Sequence, residues 1–244
     1  MKMRKLFALI KRNLKEVVRD PLSLVFCAVF PVFMLVLLQS IFKNMQYVPE
    51  NFKIENYAVG ICVFGYTFSM MFTAMLIAGD KNTEFANRIK MAPVSQWTHL
   101  CSYLLAMLPV VLAQTVLFFA VSLCFGLPFS ANILLAIVYL LPSEWLFLSF
   151  GVLIGTLAKN EKQAGPISSI LISLSMMFGG VFMPIDNLGS FTEVLNILPF
   201  SHSVQIASGV FQGDLTCIYP HILWVLGYIA IVWIAIVFLK SRQR

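Results

Sequence analysis

Residues 79–95 read GDKNTEFANRIKMAPVS, from Gly79 to Ser95. This polar island holds five charged side chains and is flanked by Tyr57–Ala78 and His99–Leu123, neither of which contains an Asp, Glu, Lys or Arg. Each flank exceeds the roughly 20 apolar residues that cross a hydrocarbon core of about 30 Å. The island therefore joins two membrane spans and is one of the few places where the chain can meet a soluble partner.

Composition extends that reading to the whole chain. Of its 244 residues 59% are hydrophobic and 11% charged, against about 25% charged in an ordinary soluble domain. The first apolar run starts only at Leu22, is long, and lacks a small-x-small cleavage site, so it reads as a retained helix rather than a signal peptide. The five cysteines are scattered without a C-x-x-C pair, which leaves metal and redox chemistry unsupported. They read as apolar fillers, with Cys124 and Cys217 the one candidate pair, near the outer face.

The N-terminus has apolar residues at Met3, Leu6, Phe7, Ile10, Leu14, Val17 and Val18, with Lys2, Lys5, Arg12, Lys15, Glu16 and Arg19 opposite. That is an amphipathic stripe, suited to lie at the membrane surface with its cations near anionic headgroups. Asp20-Pro21 reads as an N-cap with proline at the first helical position. Residues 1–20 are thus expected to form an interfacial elbow helix, and residues 21–244 a six-helix transmembrane domain. The spans are expected at about 22–42, 57–78, 99–123, 132–157, 165–183 and 220–239, with Pro31 kinking the first. Ala158–Ala164 reads as a second polar hinge. Between spans five and six, Leu195–Leu198 and Val204–Val210 are too short to cross and suit re-entrant or interfacial helices. The predicted fold is an all-α membrane protein.

Six spans put both ends on one side. The N-terminal segment holds seven Lys and Arg, the C-terminus three, the island three and the second hinge two, whereas the opposite loops hold only Lys43 and Lys53. The positive-inside rule places both termini and both hinges in the cytosol of a multi-pass cell-membrane protein. The net charge of +6 is then a topology signal, and nucleic-acid binding is excluded.

Few residues within the spans invite chemistry. Glu144 is the only Asp, Glu, Lys or Arg expected inside one, and at that depth it must be protonated, paired or in a wet cavity. Three readings stay open: a substrate-cation or proton site, a protonated carboxyl bonded between helices, or a span broken at Pro142. Cys62, Tyr66, Ser69 and Thr73 recur at helical spacing in span two. They either pack helices or line a substrate path, and Gln114 poses the same choice. Gly151-x-x-x-Gly155 permits close helix approach. The sequence has no phosphate loop, H-E-x-x-H or G-x-S-x-G, and His99, His202 and His221 are not expected to cluster. The chain reads as a non-enzyme.

Within the island Glu84 and Arg88 form an i, i+4 pair in the favourable order. Phe85 and Ile89 share one face, which either meets a partner or folds back on the bilayer. Pro93 ends the short helix, and Ser95 is placed to cap the next.

The order of these features resembles the ABC-2 family of ABC transporter permeases along essentially the whole chain. The pieces that carry the resemblance are RDPLSLVF after the basic helix, Phe30-Pro31, and Ala92-Pro93-Val94-Ser95. They continue with GVLIGTLAKNEKQAGPI, FGGVFMPIDNL and NILPFSHS. The resemblance implies a six-helix permease subunit that pairs with a second permease, identical or not, and with a cytosolic ABC ATPase. That ATPase would hold the ATP and Mg, so no cofactor is expected here. It also implies that Glu84, Phe85, Arg88, Ile89 and Pro93 belong to a coupling helix seated in the ATPase. Many relatives have Gly-Thr-Leu where this chain has Glu84-Phe85-Ala86. The implied function is export of a drug, antibiotic peptide or lipid, with Tyr66, Ser69, Thr73, Gln114 and Glu144 the candidate path residues. The rivals are export of sodium or a polysaccharide carrier, a proton-coupled transporter using Glu144, and a structural subunit with no path.

Overall fold

The computed structural model describes residues 2–42, 54–129, 132–178, 197–213 and 215–242, all helices and short connections. In chain order the helices are α1 (Lys2–Arg19), α2 (Pro21–Phe42), α3 (Ile54–Asp80), α4 (Glu84–Met91), α5 (Gln96–Cys124), α6 (Asn132–Leu157), α7 (Glu161–Phe178), α8 (Pro199–Gln212) and α9 (Leu215–Arg242). Among the described residues five helices are long and apolar enough to cross a membrane: α2, α3, α5, α6 and α9. The sixth expected span, 165–183, runs beyond the described residues; its described part lies in α7.

Local chemistry sets the boundaries. Asp20 caps α2 by accepting the Leu22 N–H at 3.1 Å, with Pro21 at the first position. Within α2 the turn Val25–Val29 is a π-helix, its last bond running from the Phe30 N–H to the Val25 carbonyl. The wide turn precedes Pro31, which has no N–H to offer and whose ring crowds the preceding turn. Ala92 is extended (φ −80°, ψ 146°), as the residue before Pro93 must be, and this stops α4. Ser95 accepts the Thr98 N–H at 3.1 Å and starts α5. Gly126, at φ 103°, closes α5, with the Leu127 N–H reaching back to the Ser122 carbonyl at 3.1 Å. A side chain is strained in that left-handed region.

Two boundaries differ from expectation, at the second hinge and the last span, and the alternative of a break at Pro142 is closed. The second hinge is shorter, because the Asn160 side chain accepts the Gln163 N–H at 3.1 Å and α7 starts at Glu161. Pro142 does not break α6, which is continuous through it. Pro220 likewise sits inside α9 rather than at its start. Of the two short pieces expected before the last span, Val204–Val210 lies within the 14-residue α8, about 21 Å long and too short to cross. Of Leu195–Leu198 only Ile197 and Leu198 are among the described residues.

α3 is the axis of the bundle, with 83% of its apolar window buried, whereas α2 and α9 are 22% and 17% buried and form the periphery. α6 packs along α3 through the predicted glycine pair. A Cβ on Gly151 would lie 2.5 Å from the Met70 carbonyl, and one on Gly155 would lie 2.8 Å from Ile77 Cβ. Glycine at both positions lets the two backbones approach. α1 packs on α5, where Asn13 bonds the Ser102 hydroxyl, and buries Leu9, Asn13 and Val17 while leaving Met3, Phe7 and Val18 exposed. Its apolar surface is therefore split between protein and surroundings.

Candidate functional site

The polar island folds at the basic end of the bundle, where four helices meet around Asp80. This carboxylate ends α3 and is buried. Arg12 of α1 grips it with both guanidinium nitrogens, Nη2 to Oδ1 at 2.8 Å and Nη1 to Oδ2. The Tyr103 hydroxyl of α5 donates to the same Oδ2 at 2.6 Å. A two-pronged ion pair with a further hydroxyl donor is how a carboxylate is accommodated away from water. Burial by itself lowers the Arg12 pKa, but the hydrogen bond and charge of Asp80 outweigh it and the net shift is upward. Glu16, 2.7 Å from Arg12, is shifted up by burial first and then by the charge of Asp80, against the opposing pull of Arg12.

The same guanidinium lies 3.9 Å above the Phe85 ring of α4, a cation–π contact. Phe85 also meets His99, ring centroids 5.9 Å apart. Phe85 is half-buried, as is Ile89, so the face those two share turns toward the protein's own helices. α4 therefore presents Glu84, Asn87, Arg88 and Met91 outward. Glu84 and Arg88 do pair, at 3.3 Å with both side chains mostly exposed, a contact worth only a few tenths of a kcal/mol. Pro93 supplies its carbonyl to Lys5 Nζ at 2.9 Å, tying the segment after α4 to α1.

A second clasp links the island to the other hinge. Lys81 Nζ donates to the carbonyls of Thr156 and Ala158 at 2.7 and 2.6 Å, placing a cation at the negative end of α6. Burial, then the charge of Lys240, nevertheless push the Lys81 pKa down to about 8. Asn82 Nδ2 donates to the Lys159 carbonyl at 3.2 Å.

The candidate path residues lie in the interior of the bundle. Tyr66, Ser69, Thr73, Gln114 and Glu144 are all buried. Tyr66 and Glu144 are joined through Thr115, whose hydroxyl lies 2.9 Å from the Tyr66 oxygen and donates to Glu144 Oε1 at 2.7 Å. Cys62 Sγ donates to the Tyr66 hydroxyl at 3.6 Å. Ser69 donates to Gln114 Oε1 at 2.9 Å, while Thr73 bonds back to its own Ser69 carbonyl at 2.7 Å and does not join the network. Glu144 Oε2 and Gln114 Nε2 have no hydrogen-bond partner among the described residues. No cation pairs with Glu144 among the described residues.

Three residues that organise these sites lack any sequence signal of their own. Arg12 is one of seven basic residues before the first span, Tyr103 is one aromatic in an apolar run, and Thr115 sits beside the more conspicuous Gln114. Their roles come from contacts between helices. One expectation is overturned: His202 and His221 do come together, Nδ1 to Nδ1 at 2.8 Å, with His202 stacked on Trp224 at 5.3 Å. α8 packs beside the start of α9, and that tertiary contact is invisible in a 19-residue separation. Among the described residues no group of three His, Cys, Asp or Glu is arranged to hold a metal. Cys124 is a free, exposed thiol, and the Cys217 side chain lies outside the described residues.

Comparison with known proteins gives the family. The profile of the ABC-2 type transporter family matches residues 4–211, from the amphipathic helix through α8. Among individual proteins, ABC transporter G family member 23 of Dictyostelium discoideum is 25% identical over 163 residues. The matched stretch is 66% of this chain and 23% of that relative, so the chain corresponds to less than a quarter of the relative's length. With a family match across most of its length and an all-helical, membrane-long architecture, the chain belongs to the ABC-2 type transporter family.

Proposed function

We propose that this chain is the permease subunit of an ATP-driven exporter. In this reading α1 is the elbow helix, α4 is the coupling helix, and both termini and both hinges face the cytosol. α7 supplies the described part of the sixth span, and α8 is a re-entrant helix near the outer face. A separate cytosolic ABC ATPase holds ATP and Mg and docks against α4, and a second permease subunit completes the path. The substrate is lipophilic or amphiphilic and leaves the cell.

The observation that carries this reading is the junction at Asp80. One carboxylate joins α1, α3 and α5, and the Arg12 that reaches it also covers Phe85 of α4. A push on the exposed side of α4 is then delivered to three other helices at once. Closure of an ATPase dimer would move this end of the permease as a unit and open the path between the two halves outward. Tyr66, Ser69, Thr73, Gln114 and Glu144 act here mainly as packing contacts, and become part of a path only if α3 separates from α5 and α6.

The rival is proton coupling through Glu144, and the chain Cys62–Tyr66–Thr115–Glu144 is what favours it. Against it, all four residues are fully buried, so the chain reaches no water. The test is uptake of a fluorescent amphiphile into inside-out vesicles carrying this chain and a co-expressed ABC ATPase. ATP-dependent uptake that persists with a proton uncoupler supports the proposal. Uptake that needs no ATP and collapses with the uncoupler overturns it.

A further inference from the structure

A cavity of about 510 Å³ lies behind α4 at the basic end of the bundle. Its walls combine apolar side chains, Ile89, Val94 and Leu100, with two cations, Lys81 and Lys240, and with His99. Asp80 also borders it, but this carboxylate is engaged by Arg12 and Tyr103. Lys240 has no acidic partner among the described residues. Lys81 spends two of its three N–H groups on the end of α6 and keeps one. The His99 Nδ1 atom is buried without a partner among the described residues. Two ammonium groups thus share a half-enclosed space in which the described residues offer no free counter-charge, and the fall of the Lys81 pKa reflects in part the charge of Lys240.

Depth narrows the choice of anion. Lys240 follows the long apolar run of α9, and the partly exposed Trp97 sits in the first turn of α5. Trp and Lys at such positions mark the level of lipid headgroups. The apolar walls suit the glycerol and upper acyl carbons that accompany a headgroup and would give nothing to a small free anion.

We propose that this cavity binds the phosphate headgroup of an anionic phospholipid, held by Lys240 and the remaining N–H of Lys81. The lipid neutralises the two ammonium groups and fills the space behind α4, bracing that helix against the bundle. The site does not depend on what the protein transports.

The test is thermal unfolding of the full-length chain in detergent with added phosphatidylglycerol, phosphatidylcholine or inorganic phosphate. Phosphatidylglycerol is expected to raise the midpoint by about 3 °C more than phosphatidylcholine, as ligand linkage requires of a native-state ligand. Lys240→Gln removes that difference, Lys240→Arg keeps it, and Lys11→Gln on the exposed side of α1 leaves it unchanged. Equal stabilisation by the two lipids overturns the proposal, as does a difference that survives Lys240→Gln. A full response to inorganic phosphate alone overturns the lipid assignment. Failure of the vesicle transport assay leaves this result unaffected.

Discussion

Arg12 and Asp80 stand 68 residues apart in the chain and close a two-pronged ion pair at the end of the central helix. The pair fixes α1 to α3, and because Arg12 also lies over Phe85, it sets which side of α4 faces outward.

Removing either partner strands the other. Asp80→Asn and Arg12→Gln are each expected to cost about 2 kcal/mol, below the full cost of breaking a buried pair because Arg12 is partly exposed. The double variant should cost less than the sum, with a coupling energy of about 1–2 kcal/mol in a double-mutant cycle. Denaturant or thermal unfolding of the purified chain measures it, and zero coupling contradicts the junction.

The contact between α3 and α6 makes an independent prediction. Gly151→Ala and Gly155→Ala each place a Cβ within 3 Å of α3, and overpacking of this kind costs about 1–3 kcal/mol. Gly227→Ala, with nothing within 4 Å of the new Cβ, should be neutral or slightly stabilising. Comparing the three unfolding midpoints checks both halves of the statement.

Glu144 is expected to serve packing rather than proton transfer. Glu144→Gln keeps the volume, still accepts the Thr115 hydroxyl and adds an amide donor. Its transport rate should stay within about threefold of the parent, a barrier change under 1 kcal/mol. Abolished transport in a variant that unfolds at the parent temperature would restore the proton-site reading.

How much of this could be read from the sequence follows from where each signal lies. The long apolar helices, the Asp20 and Ser95 caps, the stop at Pro93 and the glycine pair are local patterns, and the structure has them. Composition also announced α1 and α4 as amphipathic. The direction in which Phe85 points was not legible, because the cation that draws it inward comes from Arg12, far back in the chain. The same holds for the His202–His221 contact and for Thr115, which links Tyr66 to Glu144. Spacing alone left those two, with Ser69, Thr73 and Gln114, between packing and path, and only tertiary burial shows them inside the bundle.

Lys81 gives a pH prediction with a definite sign. Its folded pKa of about 8 lies below the ordinary 10.5, so between those values the unfolded chain holds a proton that the folded chain has released. Stability therefore rises with pH across that window. Relative to Lys81→Gln, the unfolding midpoint of the lipid-free parent chain should climb from pH 8 to 10. A difference between the two that falls or stays level contradicts the assignment.

The central claim is that α4 docks an ATPase with the face opposite Phe85. The most direct measurement is co-purification of a co-expressed ABC ATPase with the triple variant Glu84→Lys, Arg88→Glu, Met91→Asp. These side chains are exposed, so the variant should insert and unfold as the parent does while losing the ATPase. Undiminished co-purification of the ATPase with that variant would contradict the account.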